Sequence, residues 1–94
     1  MADQNNEIQN LHIRMQILTI LDECKGFPLR ESALHVQLGI MIDGITVTTD
    51  ELGIYLEYLR AHGMIDFDMP QVGGPRRWQI TEDGKQAFRE YNHN

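Results

Sequence analysis

The chain has 94 residues, 41% hydrophobic and 23% charged, with a formal net charge of −6. That composition suits one soluble domain with a single modest core, and excludes both a disordered chain and a two-domain protein. No apolar run approaches the ~18 residues of a membrane span, the opening MADQNNEIQN lacks a signal peptide's basic and apolar parts, and the lone Cys24 excludes an internal disulfide or a Cys-rich zinc site; a cytoplasmic protein is expected.

Residues 1–6 are polar and expected to fray. From about Glu7 to Lys25 apolar residues recur at helical spacing. Leu11, Met15 and Leu18 form one stripe, and Ile13, Ile17, Ile20 and Cys24 another. With Ile8 and Leu21 they make the helix apolar over more than half its circumference, wider than a surface helix needs. It is therefore either central to the core or shared with a second subunit. Lys25-Gly26 is a helix stop, and Pro28 prevents continuation.

A second helix is expected from about Glu31 to Ile42, with Leu34, Leu38 and Met41 or Ile42 on its inner face and Val36 and Ile40 off it. Asp43-Gly44 breaks it, and residues 45–48 form a β-branched connector. Thr48-Thr49-Asp50-Glu51 is a capping box opening a third helix, whose buried stripe is Leu52, Leu56 and Leu59, with Tyr55 beside it. Gly63 suits the left-handed position that ends it.

Residues 64–69 then alternate, with Ile65, Phe67 and Met69 on one side and Asp66 and Asp68 on the other, as in a strand. Residues 70–75 hold two glycines and two prolines and must turn. Residues 76–80 return as a strand with Trp78 and Ile80 on one face, and Trp78 is expected to anchor core and wing. Thr81-Glu82-Asp83-Gly84 opens a last helix to about Tyr91, with Ala87, Phe88 and Tyr91 facing the core.

Three helices, a two-stranded wing and a closing helix give an α+β, mainly helical fold of the winged helix-turn-helix order, a single domain over residues 7–92. At Leu52-x3-Leu56-x2-Leu59-x3-Gly63-Met64-Ile65 the chain resembles the recognition helix and wing entry of MarR, ArsR and PadR-type regulators. At Gly74-Pro75-Arg76-Arg77-Trp78-Gln79-Ile80-Thr81-Glu82-Asp83-Gly84-Lys85 it resembles the wing exit of PadR-like proteins. Its spacing is also similar to small winged-helix proteins of Mu-like prophages. The resemblance implies a bacterial or prophage transcription regulator binding double-stranded DNA. Its groove-facing residues would be Thr49, Asp50, Gly53, Ile54 and Glu57, with Arg76 and Arg77 in the wing.

The charges depart from that pattern. Residues 48–69 hold Arg60 against Asp50, Glu51, Glu57, Asp66 and Asp68, giving −4, while residues 70–94 sum to +1. A protein that neutralises many phosphates usually shows a broad basic face. The acidic third helix therefore leaves a second class open, a winged-helix module for protein recognition or assembly. Ile13, Ile17 and Ile20, with Val36 and Ile40, exceed what one such chain easily buries, so a homodimer through these residues is expected. The alternative is that the last helix covers this surface within one chain. Tyr55 and Tyr58 are read as helix packing rather than an effector pocket, and Cys24 as a small buried residue rather than a redox thiol. His12, His35, His62 and His93 lack metal-site spacing. No nucleophile, phosphate loop or paired acid–base motif is present. No metal, cofactor, membrane partner or enzymatic activity is expected.

Overall fold

The computed structural model describes residues 2–42 and 44–93. The elements are α1 (Ala2–Glu23), β1 (Leu29–Arg30), α2 (Glu31–Met41), α3 (Thr49–Ala61), β2 (Ile65–Asp68), β3 (Arg77–Ile80) and α4 (Glu82–His93). The three strands form one antiparallel sheet in the order β1-β3-β2. This is the winged-helix arrangement expected from the sequence, with one strand added. The backbone of residues 2–6, expected to fray, continues α1. Asp43, read as half of the break after α2, lies outside the described residues, as do Met1 and Asn94.

α1 is the central helix. Ile13, Met15, Ile17, Leu18, Ile20 and Leu21 are all buried, and α2, β3 and α4 all pack against this helix. This corrects the expected dimer surface. Ile13, Ile17 and Ile20 are only 1%, 0% and 4% exposed within a single chain, so they have no area left for a partner. α4 packs against α1 in the same chain, the alternative weighed above. Val36 and Ile40 do remain exposed, at 61% and 73%.

α3 is set by its ends. The Thr48 hydroxyl accepts from the Glu51 amide at 3.1 Å, and the Glu51 carboxylate accepts from the Thr48 amide at 3.0 Å, closing the capping box. Those bonds, the backbone one foremost, hold the Glu51 carboxyl below its ordinary pKa. The cap's charge-assisted part is therefore present above the normal carboxylate range and is lost as pH falls through the lowered value. At the other end Gly63 sits at φ 74°. Its amide donates to the Arg60 carbonyl, and the Met64 amide reaches back to the Leu59 carbonyl, a pairing that requires a left-handed residue. Leu52, Leu56 and Leu59 face the core throughout.

The corner between α3 and the sheet is tied to α4. Thr81 donates through its hydroxyl to the Gly63 carbonyl at 2.6 Å and accepts from the Gly84 amide at 3.0 Å. It thus serves as the N-cap of α4. Gly84 is buried in this corner. A Cβ there would run into the Met64 carbonyl oxygen and lie 2.8 Å from Ile80 Cγ1. By contrast Gly53, within α3, has nothing within 4 Å of the place a Cβ would take.

The two glycines therefore predict opposite outcomes. Gly84→Ala should destabilise the protein by about 3 kcal/mol, the upper end for overpacking a closed site. Gly53→Ala should stabilise it by about 0.5–1 kcal/mol, through helix entropy alone. Urea denaturation followed by circular dichroism reads both. Equal effects at the two positions would contradict the packing described.

Candidate nucleic-acid interface

The five α3 positions expected to face a groove do share one side of the helix. Thr49, Asp50, Ile54 and Glu57 are exposed and Gly53 is partly so, opposite the leucine stripe. Ile54 is the most prominent apolar group there, 69% exposed. Asp50 lies in the first turn, where a carboxylate complements the helix N-terminus.

The wing arginines are not brought together. Consecutive residues of an extended chain point to opposite faces, and so do Arg76, just before β3, and Arg77, its first residue. Arg76 folds inward toward the helices. Its Nη2 lies 2.7 Å from Glu31 Oε1 and its Nη1 2.8 Å from Glu57 Oε1. The guanidinium carbon sits 4.8 Å from the Trp78 ring centroid and 5.2 Å from that of Phe67. Partial burial alone would lower its pKa. The hydrogen bonds and charges of Glu57 and Glu31 outweigh that and hold it above the ordinary arginine value. Arg77 points the other way and forms a two-pronged pair with Asp68, Nε to Oδ1 at 3.1 Å and Nη2 to Oδ2 at 3.2 Å.

Beneath Arg76 lies Trp78, the largest fully buried side chain and the core anchor expected from the sequence. Its indole N–H donates to Glu31 Oε1 at 2.9 Å, the same oxygen that receives Arg76. Phe67 packs on the ring, with centroids 4.9 Å apart. One cluster thus joins α2 through Glu31, α3 through Glu57, and the wing through Arg76, Trp78 and Phe67. Arg60 adds a weak contact to Glu57 at 3.6 Å. Glu57, one of the two acids on that exposed side of α3, is therefore neutralised within the chain, whereas Asp50 meets no cation among the described residues.

Sequence reasoning missed Glu31 and Arg30. Arg30 ends β1 and Glu31 follows it, and β1 is a two-residue strand with no alternation to betray it. The one available signal was Pro28, which favours extended backbone just before it and cannot lie inside a helix. Of the two tyrosines expected to pack between helices, Tyr55 is half-buried, whereas Tyr58 stays exposed and lines an open groove with Ile8 and Leu11. Tyr55 donates to Asn10 Oδ1 at 2.7 Å, and the Tyr58 ring has the Arg14 guanidinium 4.2 Å from its centroid and stacks with His62. Burial, then the charge of Glu23, pushes the Cys24 thiol pKa up, which disfavours the reactive thiolate. Among the described residues no group of three or more His, Cys, Asp or Glu is placed to hold a metal ion, and no helix is long and apolar enough to cross a membrane.

Comparison with solved structures places this geometry. The chain is similar to a candidate transcriptional regulator of Thermoplasma acidophilum, with a TM-score of 0.74 and 18% identity over 93% of this chain and 82% of the other. It is also similar to a PadR family transcriptional regulator of Eggerthella lenta, with a TM-score of 0.63 and 19% identity over 98% and 83%. It shares their winged-helix fold. No protein-family profile matches the chain, and no curated protein matches it.

The cluster predicts a specific stability pattern. Arg76→Ala should cost about 1–2 kcal/mol, the sum of two partly exposed ion pairs and a cation–π contact. Arg76→Lys should recover less than half of it, because an ammonium cannot fork between two carboxylates while stacking on a ring. Urea unfolding followed by Trp78 fluorescence measures both. An Arg76→Ala midpoint equal to wild type would mean that this side chain swings free in solution.

Proposed function

We propose that the protein is a transcription regulator that binds double-stranded DNA through α3 and the wing. The observation that carries this reading is the internal neutralisation of Glu57. With Arg76 and Arg60 against it, the outward face of α3 presents Thr49, Gly53 and Ile54, with Asp50 as the acid there that meets no cation among the described residues. The similarity in fold to proteins named as regulators supports the same reading. Asp50 can accept a hydrogen bond only from a cytosine amino group in the major groove, and Gly53 reads nothing. Affinity is then dominated by phosphate contacts, with modest sequence preference. In this proposal the protein acts in the cytoplasm as a homodimer. Its contact is the outer side of α1, where Ile8 and Leu11 share an open groove with Tyr58 and all three are exposed. This replaces the buried isoleucines of the same helix.

A second reading has an observation of its own. Val36, Ile40 and Ile54 are each more than 60% exposed on α2 and α3, the two helices of the helix-turn-helix. Such apolar surface suits a protein partner better than a phosphate backbone.

Fluorescence anisotropy with a labelled duplex separates the two. The regulator reading predicts measurable binding at ~20 mM salt that falls steeply as salt rises. It also predicts that Asp50→Asn strengthens binding several-fold by removing the remaining repulsion on α3. No duplex binding at low salt, with Asp50→Asn equally inert, would leave the protein-recognition reading in its place. Sedimentation of the same samples tests the dimer, which Leu11→Glu should dissociate; a wild-type monomer contradicts it.

A further inference from the structure

The outer face of the sheet carries a row of charges that the cluster around Arg76 does not touch. Arg30 on β1 lies directly opposite Arg77 on β3, and Arg77 directly opposite Asp68 on β2. Residues facing each other across an antiparallel pair point to the same side. The adjacent row, Leu29, Trp78 and Phe67, packs with or against the core, so Arg30, Arg77 and Asp68 face away from it. Two arginines directly opposite each other repel. Asp68 compensates one of them through its paired contact with Arg77. Arg30 is exposed and has no hydrogen-bond, ion-pair or ring partner among the described residues. The row keeps one uncompensated positive charge.

Beside this row is a hollow of about 190 Å³ lined by Arg30, Pro70, Gln71, Pro75 and Arg77. Two prolines stiffen its wall, Gln71 adds an amide, and no acid lines it among the described residues. Arg77 uses only two of its five N–H groups on Asp68, so donors from both guanidinium groups remain available to one further oxyanion. The hollow lies where the wing turn meets the residue before α2.

We propose that Arg30 and Arg77 form a seat for one phosphodiester of the DNA backbone. This rests on the DNA-binding reading above and reassigns its main electrostatic contact. Arg76 is committed to Glu31 and Glu57, whereas the Arg30–Arg77 pair has both the free donors and the unrelieved charge. The phosphate removes the repulsion between the two arginines, so binding is favoured by the strand register itself.

The test is anisotropy of the full chain with a labelled duplex across a salt series, for wild type, Arg30→Ala and Asp68→Asn. Arg30 has no partner to lose, so its variant should fold normally, which a urea titration checks. The seat predicts that Arg30→Ala weakens binding several-fold and reduces the log–log salt slope by about 0.9. It predicts that Asp68→Asn tightens binding, because the row's net charge rises; a merely structural pair predicts no gain. If wild type binds duplex and Arg30→Ala keeps its affinity and slope, the seat is overturned while the regulator reading stands. If wild type binds no duplex at low salt, both fall. A third arm follows the arginine Nε–H NMR signals with duplex and with inorganic phosphate alone. Signals of Arg30 and Arg77 that respond to inorganic phosphate but not to duplex would overturn the DNA assignment.

Discussion

The indole N–H of Trp78 is the constraint on which the rest of the structure depends. A fully buried tryptophan fills the space between the sheet and the helices, but its N–H must find an acceptor there. Glu31 supplies one, and in doing so brings a carboxylate to the edge of the core. That charge needs a cation, which Arg76 provides while lying over the same ring. The guanidinium fork has a second arm, and Glu57 of α3 occupies it. A packing requirement at one residue thus sets the angle between wing and helix-turn-helix and commits one of the wing's two arginines.

This sequence of requirements changes what the charges mean. The region from Thr48 to Met69 is acidic by count, which argues against nucleic acid. In the folded chain Glu57 faces Arg76 and Arg60, Asp68 faces Arg77, and Glu51 caps its own helix. Two of the five carboxylates are thus matched by arginines, while Asp50, Glu51 and Asp66 meet no cation among the described residues. The repulsive field is reduced rather than removed. The same pairing leaves few side chains to read bases, so a DNA-binding role would rest on shape and phosphate contacts more than on α3.

Much of the fold was legible because its signals are local. The capping box at Thr48, the left-handed Gly63, the leucine spacing of α3 and the alternation around Phe67 and Trp78 each depend on a few neighbouring residues. The three-helix, wing and closing-helix order followed from them. What was not legible depends on residues distant in sequence. The breadth of α1's apolar surface was plain, but whether α4 or a second subunit covers it depends on packing that no periodicity encodes. Arg76 and Arg77 looked equivalent side by side, and only the register of β3 sends one to the core edge and the other to the outer face. β1 is too short to alternate, so the placement of Arg30 and Glu31 was hidden until β3 was seen beside it.

The interlock between wing and α3 is measured most directly by a double-mutant cycle on Glu57 and Arg76, using Glu57→Gln, Arg76→Ala and the pair in urea unfolding. The contact described here predicts a coupling of roughly 0.5–1 kcal/mol, the range for a well-formed but partly exposed pair, and a smaller value at high salt. Strict additivity of the two substitutions at low salt would contradict it, leaving α3 with an acid that the wing does not neutralise.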